Sequence, residues 1–285
     1  MPELVVNTLL FVFGAAIGSF INVLGFRYSV KKGFKDAFVG RSMCPQCKTK
    51  LEWIDLIPIF SFVFLMGKCR TCKKPISWRY PLGETIAALI ALFVPLQIGF
   101  GIPALLWVLC LCILLLISIV DFRLKIIPDS LVVLIAVLGL GLMALKYFNG
   151  YFDGLVQSDG ISFMGTHYIT FRIGVSALLN HVYSILFALG LFGGLYAFSK
   201  GRAMGMGDVK LASALGLWLI FPDMVLSMAL AFIVGSIIGL AMMQFKKLKF
   251  KSNVPFGPFI AAGVTLVFFF GYDIVNAYFK IFGIF

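Results

Sequence analysis

Long apolar stretches recur along the whole chain and are separated by short polar segments, several of them rich in Lys and Arg. A helix needs about 20 apolar residues to cross ~30 Å of hydrocarbon. The pattern predicts eight membrane-spanning segments, over residues 4–25, 82–100, 102–121, 128–146, 173–198, 207–221, 224–245 and 254–272. The sixth segment is short and contains Gly216, so it departs most from a spanning helix.

The composition agrees with a membrane protein rather than a soluble one. Hydrophobic residues make up 61% of the chain and charged residues 13%, with a mean hydropathy of +1.04; a soluble domain is about half apolar and about a quarter charged. The net charge of +12 comes from cations gathered in particular loops. The positive-inside rule and attraction to anionic lipid explain such loops. We therefore predict membrane lipids as a partner and no nucleic acid.

The cationic loops all fall on one side of the membrane if the eight segments cross it. Residues 27–81 hold half of the 24 Lys and Arg, and further cations follow the third, fifth and seventh segments. Cationic loops face the cytosol, so we expect both termini to face outward. The stretch 147–172 lacks a spanning run and is then an outer-face loop.

Four of the six cysteines form two CxxC pairs in the large cationic loop, Cys44 with Cys47 and Cys69 with Cys72. Thiols on the cytosolic side stay reduced. Two such pairs, separated by 21 residues, are typical of a tetrahedral Zn²⁺ site. Four thiolates leave no open position on the metal, so we expect a structural zinc ion.

These features predict an all-α polytopic membrane protein with about eight transmembrane helices and a small cytosolic zinc-binding loop domain with four cysteine ligands. We expect a first transmembrane helix at residues 1–26, the loop domain at 27–81 and a transmembrane core at 82–285. We expect the first helix to be retained rather than cleaved, because the stretch at its start lacks the basic residues of a signal peptide.

Two acidic residues stand at the predicted cytosolic ends of spanning segments: Asp121 ends the third, and Asp208 begins the sixth. Ionisable groups at the hydrocarbon boundary are costly and face a cavity, a partner or water. Two carboxylates that share a site hold one proton between them and can activate water against a peptide carbonyl. The alternatives are that Asp208 caps its helix and that Asp121 pairs with Arg123 or Lys125.

Gly205 and Gly207 lie directly before Asp208 in the sequence GMGD. Two glycines there would let the backbone leave helical geometry and let a substrate strand approach. The alternative is that they merely end a loop. Asp129 follows Pro128 and is expected to be an ordinary first-turn acid of its helix.

Five motifs in order resemble the bacterial type IV prepilin peptidases, also called leader peptidase/N-methyltransferases, of the GxGD aspartic peptidase group. They are GSFINVLGFR at 18–27, one cysteine-rich motif in two parts (RSMCPQCKTKLEWIDLIPIFSF and GKCRTCKKPISWRYPLGE), DFRLKIIPD at 121–129, GMGDVKLASALG at 205–216 and PFGPFIAAG at 255–263. A GxGD sequence alone is weak, whereas five motifs in this order are specific.

The resemblance implies that Asp121 and Asp208 are the catalytic pair of a membrane-embedded aspartic endopeptidase, and that 82–285 is its core. The substrate would be a type IV prepilin or a secretion pseudopilin whose basic leader ends in Gly, cut at the cytosolic face of the bacterial inner membrane. The resemblance also implies N-methylation of the new amino terminus with S-adenosylmethionine, and the cysteine-rich loop favours this bifunctional form. No Gly-rich nucleotide motif follows a strand, so no motif places the methyl-donor site.

A non-enzymatic membrane protein, such as a small transporter or a scaffold with a zinc-ribbon docking loop, is the alternative. A proton relay would string carboxylates across the bilayer, whereas Asp121 and Asp208 are predicted at one face. The motifs favour the enzyme, and the sequence predicts no particular oligomeric state.

Overall fold

The apolar stretches form helices, because hydrogen bonds within a helix satisfy the backbone groups that hydrocarbon cannot. The structure is a computed structural model and describes residues 2–34, 37, 40–148, 162–165, 177–202, 204–246 and 254–283. Within these ranges the helices are α1 (Pro2–Arg27), α2 (Phe60–Phe64), α3 (Arg79–Ile98), α4 (Ile102–Leu124), α5 (Asp129–Phe148), α6 (Ala177–Ala188), α7 (Gly194–Ser199), α8 (Met206–Leu215), α9 (Phe221–Lys246) and α10 (Gly257–Ile281). A 3-10 turn, Trp53–Leu56, precedes α2, and a π-helix, Leu189–Gly193, joins α6 to α7.

In the described part of the chain, seven helical stretches are long and apolar enough to cross a membrane. They are Glu3–Arg27, Arg79–Ile98, Ile102–Leu124, Asp129–Phe148, Leu178–Ser199, Phe221–Gln244 and Gly257–Ile281. Each corresponds to one predicted segment, and the predicted all-α polytopic fold is confirmed. The chain is a multi-pass membrane protein.

The segment predicted at 207–221 is a shorter helix than the sequence indicated. α8 has ten residues and is ~15 Å long at ~1.5 Å per residue, about half the thickness of the hydrocarbon core. It ends at Leu215 with Gly216 as its C-cap, and the buried residues Trp218, Leu219 and Ile220 follow in a turn. Trp218 Nε1 donates a hydrogen bond to the Ile135 carbonyl oxygen at 2.9 Å. The irregular backbone is therefore enclosed by protein, as a membrane protein requires.

The chain divides into two compact units, Met1–Arg123 and Leu124–Phe285. The cysteine-rich loop packs in the same unit as the helices before and after it, so this division follows packing and not the three functional parts predicted from the sequence. The functional division into 1–26, 27–81 and 82–285 stays a prediction.

In the first unit, α1 and α3 pack through small residues that let their backbones approach. A Cβ added at Gly14 would lie 2.6 Å from Ala91 Cβ, and one added at Gly18 would lie 2.7 Å from Glu84 Cα. Gly14 and Gly18 thus form the small-xxx-small pattern typical of paired transmembrane helices. Any larger side chain on this stripe would push the two helices apart.

In the second unit, α9 packs along α10, and part of the predicted outer-face loop is held at the start of α9. Of the stretch 147–172, the structure describes 147–148 and 162–165; the remainder lies outside the described residues. The buried Asp223 carboxylate accepts hydrogen bonds from Ser162 Oγ at 2.7 Å and from the Phe163 N–H at 3.2 Å. These contacts tie residues 162–163 to α9.

The four tryptophans fall into two pairs of opposite exposure. Trp53 in the 3-10 turn and Trp78 just before α3 are each 75% exposed, whereas Trp107 in α4 and Trp218 are buried. The Trp78 ring also contacts the Phe62 ring of α2, with centroids 4.8 Å apart. The exposed tryptophans therefore belong to the cysteine-rich loop and the buried ones to the helices.

Candidate functional site

The two CxxC pairs adopt the same backbone turn. In each, the residue after the second cysteine donates its backbone N–H to the carbonyl oxygen of the first cysteine. The first cysteine donates its own backbone N–H to the carbonyl oxygen of the residue five positions later. The bonds are Lys48 to Cys44 (2.9 Å), Cys44 to Thr49 (3.0 Å), Lys73 to Cys69 (3.0 Å) and Cys69 to Lys74 (2.9 Å). Lys48 and Lys73 have matching left-handed conformations, with φ of 61° and 59°. The two halves of the loop are thus built as near-identical knuckles.

The knuckles bring all four thiols into one cluster. The Sγ atoms of Cys44, Cys47, Cys69 and Cys72 lie within 4.8 Å of one another, and Cys44 Sγ is 3.9 Å from Cys72 Sγ. No disulfide joins them. A tetrahedral zinc with Zn–S bonds of ~2.3 Å requires sulfurs ~3.8 Å apart. The donor set and its spacing therefore fit a closed zinc site, as the sequence predicts.

Hydrogen bonds lower the pKa of two of these thiols, Cys47 and Cys69. The Thr49 hydroxyl lies 3.2 Å from Cys47 Sγ, and bonds from the Thr49 side chain and backbone lower the pKa of Cys47 to about 6. Backbone N–H groups of Cys72 and Thr71 likewise lower the pKa of Cys69. A zinc ligand must be a thiolate, so these bonds favour the binding form of both side chains.

Arg70 and Asp55 form an ion pair within the cysteine-rich loop, and the sequence does not predict it. Arg70 Nε lies 2.8 Å from Asp55 Oδ1, and the Asp55 side chain is 8% exposed. The contact joins the second knuckle to the 3-10 turn. The one feature of the sequence that bears on this ion pair is the position of Arg70 between Cys69 and Cys72.

Asp121 lies in the last turn of α4 and is buried, with 4% of the residue exposed. Two residues later, the Arg123 guanidinium donates hydrogen bonds to the carbonyl oxygens of Phe26 and Tyr28. These carbonyls lie at the end of α1, where the helix leaves such groups unsatisfied. Arg123, which the alternative interpretation paired with Asp121, is therefore fixed at the end of α1.

Asp208 lies in the first turn of α8 and is also buried, with 8% exposed. Its Oδ2 accepts a hydrogen bond from the N–H of Gly205, the N-cap residue, at 3.2 Å. A carboxylate there also interacts favourably with the positive end of the helix. The capping role considered as an alternative is thus present in the structure, and it is compatible with a second role.

Neither glycine of the GMGD sequence has a backbone conformation that requires glycine. Gly205 has φ −80° and ψ 150°, an extended conformation open to any residue. Gly207 lies inside the first turn of α8, where a Cβ would lie 3.0 Å from Ile127 Cβ. The need for glycine at 207 is therefore a close approach to Ile127, and the role of both glycines in substrate approach stays a prediction.

The segment just after α4 packs against the start of α8 within the second unit. Besides the contact of Gly207 with Ile127, Lys210 Nζ lies 2.8 Å from Asp129 Oδ1. Asp129 opens α5, as the sequence predicts, and both members of this ion pair are largely exposed. Exposed pairs of this kind contribute little to stability.

The structure therefore brings the four predicted zinc ligands together and places both predicted catalytic aspartates in buried positions at helix ends. Asp121 belongs to the first compact unit and Asp208 to the second.

Two family models match the chain in succession. Residues 12–98 match the bacterial peptidase A24 N-terminal domain, and residues 108–240 match the type IV leader peptidase family. The first range includes all four clustered cysteines, and the second includes Asp121, Gly205, Gly207 and Asp208.

Three curated relatives match 85–96% of the chain, and each is called a prepilin leader peptidase/N-methyltransferase. The protein from Legionella pneumophila is 27% identical over 93% of this chain and 92% of its own length. The one from Bacillus subtilis is 28% identical over 96% and 98%, and that from Stutzerimonas stutzeri is 30% identical over 85% and 75%. No solved structure matches the chain.

Proposed function

The chain belongs to the type IV leader peptidase family, and on that premise we propose that it removes the basic leader of type IV prepilins or pseudopilins and N-methylates the exposed amino terminus. The observation that carries this proposal is the pair of family matches, together with relatives named for both activities over more than nine-tenths of the chain. A scaffold or transporter would not require this combination.

Asp121 and Asp208 are the proposed catalytic pair. Their burial at helix ends suits carboxyl groups that share one proton, because two neighbouring carboxylates cannot both ionise at low cost. The ionised member accepts a proton from water, which attacks the scissile carbonyl carbon. The protonated member donates to the carbonyl oxygen, which gives a tetrahedral intermediate. As the C–N bond breaks, the carboxyl group that took the proton from water passes it to the leaving amine, and a hydroxyl proton of the intermediate returns to the other carboxylate.

Within the second unit, contacts support this pairing. Gly207 lies against Ile127, and Lys210 lies against Asp129. The residues that follow Asp121 along the chain thus pack on the turn that carries Asp208. Gly205 leaves the start of this turn without side-chain bulk, so we propose that an extended substrate backbone reaches Asp208 there. Gly207 contributes by its close contact with Ile127.

Cleavage is proposed at the cytosolic face of the bacterial inner membrane. The cationic segments between the spanning helices, above all 27–81, favour that face for the loop and for the helix ends that carry the two aspartates. A prepilin helix in the bilayer would lie along the spanning helices with its basic leader near anionic headgroups.

The cysteine cluster is proposed to hold a structural Zn²⁺ through Cys44, Cys47, Cys69 and Cys72. A bound ion would fix the two knuckles and so the shape of the loop. The N-methyltransferase activity requires S-adenosylmethionine as methyl donor, and the loop is the part of the chain proposed to support it.

The test is the replacement of either aspartate by Asn, which keeps the size of the side chain. At position 208 the oxygen of the new amide would still accept the Gly205 N–H, so we expect folded protein. Loss of general acid–base catalysis lowers rates by ~10²–10⁴-fold, and we expect leader removal from a purified prepilin, followed by intact mass, to fall by at least ~10²-fold.

Asp129→Asn is the matched control, because Asp129 is an exposed acid in the same motif as Asp121. It should cleave at the wild-type rate. If Asp121→Asn or Asp208→Asn also cleaved at that rate, the assignment of the catalytic pair would be wrong.

A further inference from the structure

The first unit contains a cavity of about 470 Å³ beside the zinc-ligand cluster. Protein pockets for small organic ligands measure ~300–1,000 Å³. Its walls come from the end of α1, the start of α3 and the cysteine-rich loop, and they include Ser19, Asn22, Phe26, Phe62, Tyr80 and Glu84. Cys44 and Cys69 also reach it, so the zinc-binding knuckles form part of its wall.

Two motifs that the proposed cleavage mechanism does not invoke meet at this cavity. The stretch 18–27 contributes Ser19, Asn22 and Phe26, and the stretch RYPLGE contributes Tyr80 and Glu84. The cavity therefore gathers sequence features that the cleavage site leaves unexplained.

Glu84 places a carboxyl group at this site. The residue is 9% exposed, and its Oε2 accepts a hydrogen bond from the Ile59 backbone N–H at 2.8 Å. The Ser19 side chain also bonds to this carboxylate. These contacts hold the carboxylate in place on the cavity wall, where it can face a cationic ligand.

Asn22 is a buried polar side chain whose hydrogen-bonding capacity is only partly used. The residue is 2% exposed, and its Nδ2 donates to the Tyr80 carbonyl oxygen at 2.9 Å. Among the described residues, its Oδ1 has no hydrogen-bond partner. A buried polar atom without a partner is costly, and here it lies in a side chain that lines a cavity.

Aromatic rings line the cavity together with charged side chains of both signs, and Asp55 is a second acid beside Glu84. The rings of Phe26 and Tyr80 lie with centroids 4.8 Å apart, and Phe62 adds a third ring. Arg27 and Arg41 also line the cavity. The site thus combines flat aromatic surfaces, a carboxylate and guanidinium groups.

We propose that this cavity binds S-adenosylmethionine, with Glu84 facing the sulfonium cation. The inference rests on the proposed methyltransferase function and names the site for its donor. S-adenosylmethionine carries a flat adenine, a cationic sulfur and an amino-acid carboxylate, for which the rings, Glu84 and the arginines are complementary. The knuckles form one wall, so the zinc cluster shapes the donor site without taking part in chemistry.

The test measures binding of radiolabelled S-adenosylmethionine to the purified, zinc-loaded full chain in detergent by equilibrium dialysis, with no prepilin present. Glu84→Gln removes the charge and keeps the shape. We expect ~10-fold weaker binding of S-adenosylmethionine, the range for losing one charged contact. Binding of S-adenosylhomocysteine, whose sulfur is neutral, should change less than about twofold. A merely structural role for Glu84 would weaken both ligands equally and would overturn the assignment.

Ser61→Phe is a second variant that fills the cavity from α2 and should weaken both ligands by more than ~10-fold. Val63→Phe is its matched control, since Val63 lies on the same short helix, is 66% exposed and does not line the cavity. It should bind as the wild type does.

Leader cleavage measured on the same samples separates this inference from the proposed function. Cleavage retained by Glu84→Gln and Ser61→Phe, with donor binding lost, supports the site. Wild-type donor binding in both variants, or competition by a basic leader peptide at this cavity without any donor binding, would overturn it. Failure of the wild-type protein to cleave any prepilin would instead contradict the peptidase proposal.

Discussion

At the scale of single residues, Asp208 combines an observed structural role with the proposed catalytic one. Its Oδ2 accepts the Gly205 N–H at the start of α8, so the carboxylate proposed to take part in the reaction also caps the helix it begins. Asn at this position would keep the hydrogen bond and remove the titrating group. The structural and chemical roles of the side chain can therefore be separated by one substitution.

The clustered thiols lead to a prediction about individual cysteines. Purified protein should retain about one zinc per chain after dialysis against a mild chelator, because four thiolates complete a closed tetrahedral site. Cys44→Ser should lose most of that metal, as measured by elemental analysis. Its buried thiol is one of the four that meet.

Cys110→Ser is the control for this experiment. Cys110 is buried in α4 and does not belong to the cluster. Zinc loss from Cys110→Ser equal to that from Cys44→Ser, or full retention by both, would contradict the assignment of the ligands.

At the scale of helices, the close contact between α1 and α3 depends on glycines, which have no side chain to hold the helices apart. The stripe of Gly14 and Gly18 faces the small residues Ala87 and Ala91 of α3. In a membrane, helices associate through close packing more than through a hydrophobic effect. The position of α3, which carries Tyr80 and Glu84, therefore depends on this stripe.

Gly14→Val is expected to destabilise the first unit by about 1–3 kcal/mol, because the new methyl groups would overlap Ala91 and force the helices apart. Thermal unfolding in detergent should show a lower midpoint than the wild type. Ala16→Val is the control, since Ala16 lies on the exposed face of the same helix. Equal midpoints for Gly14→Val and the wild type would show that the stripe is not a tight contact.

At the scale of the whole molecule, the number of crossings decides where the C-terminus lies. Seven described helices are long enough to span, and α8 is only ten residues long. The sequence predicts eight crossings and hence both termini outside. If α8 with its buried turn did not complete a crossing, the C-terminus would lie in the cytosol instead.

Cysteine labelling in intact spheroplasts tests this prediction. Cys introduced at exposed Lys280 should react with a membrane-impermeant maleimide, because eight crossings place it outside. Cys introduced at exposed Lys200 should react only after lysis, since it follows the fifth crossing on the cytosolic side. Protection of position 280 in intact cells would mean that α8 does not cross.

Much of this architecture could be predicted from the sequence, and the exceptions have physical causes. Seven spanning helices and the four-cysteine cluster follow from local signals: the length of an apolar run and the spacing of CxxC pairs. α8 was predicted too long because Trp218, Leu219 and Ile220 are as apolar as lipid-facing residues, although they are buried against protein. Hydropathy cannot distinguish those two surroundings.

The cavity and the hydrogen bonds from Arg123 to the end of α1 could not be predicted, for a different reason. Each joins residues far apart in the chain: Arg123 binds Phe26 and Tyr28, and Asn22 binds Tyr80. The motifs that contain these residues were recognised, but a motif does not say which other motif it meets. The reason for glycine at position 207 could not be predicted either, because the residue it packs against, Ile127, lies in another motif.

The split between exposed and buried tryptophans has an optical consequence. Trp53 and Trp78 should emit at long wavelength and be quenched by acrylamide, while Trp107 and Trp218 should emit at short wavelength and resist quenching. One fluorescence spectrum therefore carries two separable signals, one from the cysteine-rich loop and one from the helices. Removal of the proposed zinc ion could then be followed as a spectral change of the loop alone, in a protein whose helical emission stays constant.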